Sequence, residues 1–151
     1  MQGNKVGFIS RHHELNQNNS LFDSSSYLLG SGLEVPLVKI KELFESKGFF
    51  CETACDSVEY NAVIFVDYPK NNSCIELYTT LNIPIYLIAF ESELVLPENH
   101  NPSLKKQFKS VFTWNPKSSS DVKIDWPNTI PDFDYYNVVN RSGVVLISSN
   151  K

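Results

Sequence analysis

The stretch Ile83-Pro84-Ile85-Tyr86-Leu87-Ile88-Ala89-Phe90-Glu91-Ser92-Glu93 decides the fold. From Ile85 to Phe90 it is apolar, too short for a helix and rich in strand formers, with Pro84 opening it. A run apolar on both faces predicts a central parallel strand buried under helices. It stops at Glu91-Ser92-Glu93, two carboxylates where the strand leaves the sheet. In open α/β sheets the ligand crevice lies just beyond the carboxyl ends of the strands. A carboxylate there, partly desolvated by the strand end, stands where a general base is placed. The plainer reading is that Glu91 and Glu93 begin a solvated loop.

The segments on either side alternate strand and helix. Val6-Gly7-Phe8-Ile9-Ser10 reads as a first strand, followed by a long polar loop from Arg11 to Ser20. Leu33, Leu37, Ile40, Leu43 and Phe44 recur at helical spacing, with Lys39, Lys41, Glu42, Glu45 and Lys47 turned outward. Pro36 suits the first turn of that helix and Gly48 its C-terminal cap. Phe49 to Ala54 and Ala62 to Asp67 read as the second and third strands, and Cys74 to Leu81 as a short helix. After the central strand come a Pro- and Asn-rich loop from Leu94 to Pro102, a helical turn over Leu104 to Phe108, and a fifth strand from Ser110 to Trp114.

This order predicts an α/β fold: an open, mostly parallel, Rossmann-like sheet with helices on both faces. Right-handed crossovers then set Ser10, Asp67, Glu91 and Trp114 along one edge. Beyond Trp114 the regularity fails. Asn115 to Asp121 reads as a loop, and Trp126 to Pro131 suits neither helix nor central strand. Gly143 to Lys151 then reads as another buried parallel strand ending in a polar turn.

Composition narrows the function classes. The 151 residues make one domain with a single sizeable core, and 42% hydrophobic with 20% charged residues fits a soluble globular protein. A net charge of -4 and a pI of about 5.3 leave no basic footprint for nucleic acid or an anionic membrane. No apolar run reaches the roughly 18 residues of a membrane span, and the N-terminus lacks a signal-peptide shape, so the expected location is cytoplasmic. Cys51, Cys55 and Cys74 suggest neither a disulfide framework nor, without His at zinc-finger spacing, a metal site. The sequons at Asn18, Asn71 and Asn140 fit chance in so Asn- and Ser-rich a chain. Ser10-Arg11-His12-His13 stands where a glycine-rich phosphate loop would be needed, which argues against an NAD or ATP site. Ser92 lacks the flanking glycines of a hydrolase elbow.

Three segments together resemble the α-1,3/α-1,4-fucosyltransferase family. Ile85 to Glu93 is similar to that family's strand and Glu-Ser turn, and Phe108-Lys109-Ser110-Val111-Phe112-Thr113-Trp114-Asn115 to its next strand. Val144 to Lys151, with its Ser-Asn-Lys end, is similar to the first strand of the family's donor-binding domain. The resemblance spans roughly Val63 to Lys151 and implies one half of a two-domain glycosyltransferase. Residues 1–140 would be the Rossmann-like acceptor-side domain, and residues 141–151 the opening of the donor domain.

The resemblance implies an inverting transfer of fucose from GDP-fucose to a hydroxyl of a glycan or lipid-linked sugar, with Glu91 as general base. GDP-fucose would be the donor substrate, held mainly by the second domain. No separate cofactor or metal is expected, and residues 1–151 alone would be inactive. Peripheral membrane association is open to the full-length enzyme. Glu93 stands where the family often has a proline, and it is the second candidate for the base.

Other residues can serve the acceptor. Arg11, His12 and His13 follow the first strand and either line the cleft or form an exposed polar loop. Asp67 can bond a sugar hydroxyl or cap the turn into Tyr68-Pro69. Trp114 can stack on a sugar face or pack inside. The alternative from another class is a flavodoxin-like binding or regulatory domain without catalysis. As a receiver-type module it would keep only Asp67, since paired acids after the first strand and a Lys after the fifth are missing.

Overall fold

A computed structural model describes residues 4–23, 35–54 and 59–125. Leu33, Cys55, Asn140, the Trp126 to Pro131 segment and the strand expected from Gly143 to Lys151 lie outside the described residues.

Six strands form one parallel sheet: β1 (Asn4–Ser10), β2 (Phe49–Thr53), β3 (Ala62–Val66), β4 (Ile85–Ala89), β5 (Ser110–Thr113) and β6 (Asp121–Lys123). Their order across the sheet is β2-β1-β3-β4-β5-β6. The strand from Ile85 is therefore internal, as its two-sided apolar run requires, paired in register with β3 (Phe65 to Leu87) and β5 (Leu87 to Val111).

Helices cover both faces. On one, α1 (Val35–Ser46) sets Leu37, Ile40 and Phe44 against Val6, Phe8, Ile64 and Ile88. On the other, α2 (Ser73–Thr80) and α3 (Pro102–Lys105) bring Ile75, Tyr78 and Leu104 onto Val63, Phe65, Leu87 and Val111. Edge-to-face rings lock each layer, with Phe8 and Phe22 at 5.2 Å and Phe65 and Phe108 at 5.7 Å between centroids. Gly48 closes α1 in the left-handed conformation at φ 85°, its amide donating to the Glu45 carbonyl at 3.0 Å.

Three local expectations change. Arg11 to Ser20 is no plain polar loop: 3-10 turns over His13–Asn16 and Ser20–Phe22 drive Leu15 and Leu21 completely into the core. Asn19 supports the second turn by exchanging hydrogen bonds with Thr53 at the end of β2, one of them 2.7 Å. Leu43, assigned to the apolar face of α1, is 62% exposed. Asp121, read as the end of a loop, starts β6. The parallel crossover into β6 is only residues 114–120, well under the usual dozen or so residues.

Gly7 in β1 is required by space. A β-carbon there would stand 2.8 Å from Ala54 Cβ and 3.1 Å from the Tyr60 ring. Alanine normally gains about 0.5–1 kcal/mol over glycine inside a strand. Overpacking costs about 1–3 kcal/mol and wins here, because Ala54 Cβ has no rotamer by which to retreat. Gly7→Ala should therefore lower the urea midpoint by an amount worth about 1–2 kcal/mol, at an unchanged m-value.

Cys51 is buried in β2. Burial, helped by Glu45 and opposed by Lys41, pushes its thiol from 9.0 up to about 11. Two units remove on the order of 100-fold of the reactive thiolate near neutral pH. In the native protein, iodoacetamide should label Cys51 at least about 100-fold more slowly than after unfolding, by peptide mass mapping. Equal native and unfolded rates would contradict the burial.

Candidate functional site

All six strands run the same way, so their carboxyl ends share one edge of the sheet. That edge holds the residues after β1, β3, β4 and β5: Arg11, Asp67, Glu91 and Trp114. A hydrogen-bond network then joins them.

Asp67 is its hinge. The residue leaves β3 in the left-handed region at φ 62°, which Asp tolerates better than most side chains. Its Oδ1 accepts from the Phe90 amide at 2.8 Å, the Glu91 amide at 3.1 Å and Asn99 Nδ2 at 2.7 Å. The carboxylate thus closes the end of β4 rather than the turn into Tyr68-Pro69. Asn99 is fully buried, and its Oδ1 accepts from the Tyr68 amide at 2.7 Å. His100 Nε2 lies 3.0 Å from the Glu91 carbonyl, and since a carbonyl only accepts, the ring proton sits on Nε2.

Glu91 is consequently fixed at its N–H by Asp67 and at its C=O by His100, while the residue itself is exposed. Its carboxylate has no ion pair among the described residues. Trp114 Nε1 donates to the Phe90 carbonyl at 3.0 Å, which holds an indole 43% exposed beside the same turn. Of the two readings of Trp114, the structure favours the presented ring over the packed one.

Glu93 is placed differently. It forms an ion pair with Lys117, whose hydrogen bond and charge hold its carboxyl below the ordinary carboxylate value. A general base works best with a pKa near the operating pH. A carboxyl both tethered and made more acidic is a poorer base than a free one.

Arg11 bridges β1 and β3, where the strand order reverses. Its amide donates to the Val66 carbonyl at 3.2 Å and its guanidinium to the Tyr68 carbonyl at 2.7 Å. His12 and His13 are exposed, and among the described residues no side-chain hydrogen bond ties them to the network.

Asn99 and His100 were not legible as site residues. They stand in a 3-10 turn, Pro97–His100, with Pro102 opening α3 just behind it. The one available signal is polar residues bracketed by two prolines shortly after a strand end, which forces a tight, rigid return toward the sheet.

A cavity of about 360 Å³ has His100 in its wall, and Glu91 does not line it. The edge at Glu91 itself presents one carboxylate on an immobilised backbone next to an aromatic ring. That arrangement can take a proton from a hydroxyl group resting on the indole. No known protein family, characterised protein or solved structure matches this chain.

Proposed function

We propose that this chain is the acceptor-side domain of a fucosyltransferase-like, inverting glycosyltransferase, with Glu91 as its general base. The observation that carries the reading is the Glu91 turn: both backbone polar groups are held, the carboxylate is exposed at the end of a central parallel strand, and Trp114 stands alongside. A base needs that combination of fixed position and free oxygen atoms.

In the reaction, an acceptor hydroxyl of a glycan or lipid-linked sugar attacks the anomeric carbon of GDP-fucose. Its proton passes to Glu91 as the new C–O bond forms, and GDP leaves with the electron pair of the broken bond. One carboxylate suffices for this half of the chemistry, as in the base of inverting glycosidases. Arg11 and Trp114 would contact the acceptor, and Asp67 would act by holding Glu91. His12 and His13 would reach only a larger acceptor, and Glu93 would remain with Lys117. The setting is cytoplasmic.

The test is transfer. The complete reading frame, given GDP-fucose and an array of oligosaccharide acceptors, should yield product heavier by one deoxyhexose residue by mass spectrometry. Residues 1–151 alone should bind the same acceptors in saturation-transfer NMR. Neither product nor acceptor binding across the array removes the reading.

One observation favours the second reading, a flavodoxin-like binding domain. The order β2-β1-β3-β4-β5 is that of flavodoxin-like sheets, whose ligands sit at the switch point between β1 and β3. A ligand perturbing Arg11 and Tyr68 but not Glu91 or Trp114 would select that reading.

A further inference from the structure

The chain is acidic, with a net charge of -4, yet the cavity of about 360 Å³ beside His100 is lined by cations without a carboxylate among them. Its walls carry Lys105, Lys106, Lys109 and Lys117, and its floor Phe108 and Val111. The topology explains the opening. The crossover from β5 to β6 contains no helix, so the α3 face of β5 is only partly covered there.

The four ammonium groups are not equivalent. Lys105 is committed to Asp121 in a pair whose side chains are 9% and 1% exposed. Lys117 pairs with Glu93 at the surface, and such pairs are weak enough for a bound anion to replace the carboxylate. Lys106 and Lys109 have no ion-pair partner among the described residues. Ser120 adds a hydroxyl, 2.8 Å from that of Ser118, that can rotate to donate, while the Ser118 hydroxyl already serves Asp121. The amides of Lys117 and Ser118 already donate to Asp121 Oδ2 at 2.9 and 3.1 Å, so an incoming anion must be held by side chains.

Like charges around one concave, partly apolar wall focus a positive potential that a simple surface lysine does not create. The volume lies at the small end of ligand pockets, about 300–1,000 Å³, which suits one sugar-sized body and excludes a nucleic-acid strand. We propose that this groove binds a small organic ester of phosphate or sulfate. The tetrahedral oxyanion meets Lys106, Lys109 and Lys117, and the organic body lies over Phe108 and Val111. The site is independent of any role for Glu91.

Calorimetric titration of the protein with glucose 6-phosphate, glucose 6-sulfate, inorganic phosphate and glucose tests this. Both esters should bind, each more tightly than inorganic phosphate, and glucose should not bind. Whichever ester binds more tightly identifies the source of the oxyanion, and either order supports the site. Raising salt from about 0.05 to about 0.5 M should weaken ester binding severalfold, because the contacts are solvent-exposed charges. Lys106→Ala/Lys109→Ala should weaken it about tenfold, while Lys39→Ala, on the exposed face of α1, should change it less than about twofold. The double variant alters two exposed side chains, and circular dichroism should confirm that it folds. No ester binding, glucose binding equal to the esters, unchanged affinity in the double variant, or an equal loss in Lys39→Ala would each overturn the proposal.

Discussion

On the proposed reading of Glu91 as a general base, Glu91→Gln should reduce fucosyl transfer about 100- to 10,000-fold, the usual contribution of such a base. Glutamine keeps the shape and one acceptor oxygen but takes up no proton at neutral pH. Acceptor affinity should therefore change far less than the rate. Folding should be nearly unaffected, because what the structure uses of residue 91 is its backbone, held by Asp67 and His100. Glu93→Gln is the internal control. It loses only a solvent-exposed ion pair with Lys117 and should cost less than about tenfold. Single-turnover rates separate the two residues. A crippled Glu93→Gln beside an active Glu91→Gln would move the base by two residues, and full activity in both would remove the base from this turn.

The second large effect concerns stability. Lys105→Met should destabilise the fold by about 3–5 kcal/mol, because it leaves a buried carboxylate without its counter-charge. Asp121 is nearly inaccessible. Its Oδ1 faces the Lys105 ammonium without a well-directed hydrogen bond, and its Oδ2 accepts from the Lys117 and Ser118 amides. Methionine keeps most of the apolar stem of lysine, so the loss reports the charge rather than the packing. Lys105→Met/Asp121→Asn should recover most of it, since asparagine still offers an oxygen to the two amides and no charge remains buried. Urea titration of these two variants and of Asp121→Asn alone closes the cycle, and simple additivity would show that the pair is not coupled.

The same pair sets an acid limb. Burial opposes ionisation of Asp121, but the Lys105 ammonium and the amide donors outweigh it, and its carboxyl stays below the ordinary value of 3.8. A depressed folded pKa means that the unfolded chain binds the proton first as pH falls. The contribution is therefore complete above the ordinary carboxylate range and is lost as pH drops through the lower folded value. Lys105→Met should show a flatter decline over that acid window, measured as urea midpoints against pH.

The layered sheet was open to reading because it rests on local pattern. Ala62 to Val66 and Ile85 to Phe90 are apolar on both faces, and only a parallel strand between helices buries both. Strands that all run one way must end on one edge, so alternation alone was enough to gather Ser10, Asp67, Glu91 and Trp114 there. The sense of Gly48 was legible for a similar reason, since a helix that stops before a strand needs a left-handed residue.

What those residues do at the edge was settled by contacts between distant parts of the chain. Asp67 reaches 23 and 32 residues ahead, to Phe90 and Asn99, and periodicity carries no trace of a side chain bonding a remote amide. Asn99 is buried although it is polar, because partners from two other loops satisfy it: Asp67 and Tyr68 after β3, and Glu91 after β4. β6 is three residues long with two charges, too short for any pattern; it is seen only in its pairing with β5, and its Asp121 meets Lys105 of α3. Leu15 is buried and Leu43 exposed for one reason: burial depends on which surface a neighbouring element covers, and the 3-10 turns after β1 pack beside α1. Local periodicity determined the first five strands, the longer helices and their shared edge, while tertiary packing alone selected Asp67 as a clamp and left Glu91 with a fixed backbone and a free carboxylate.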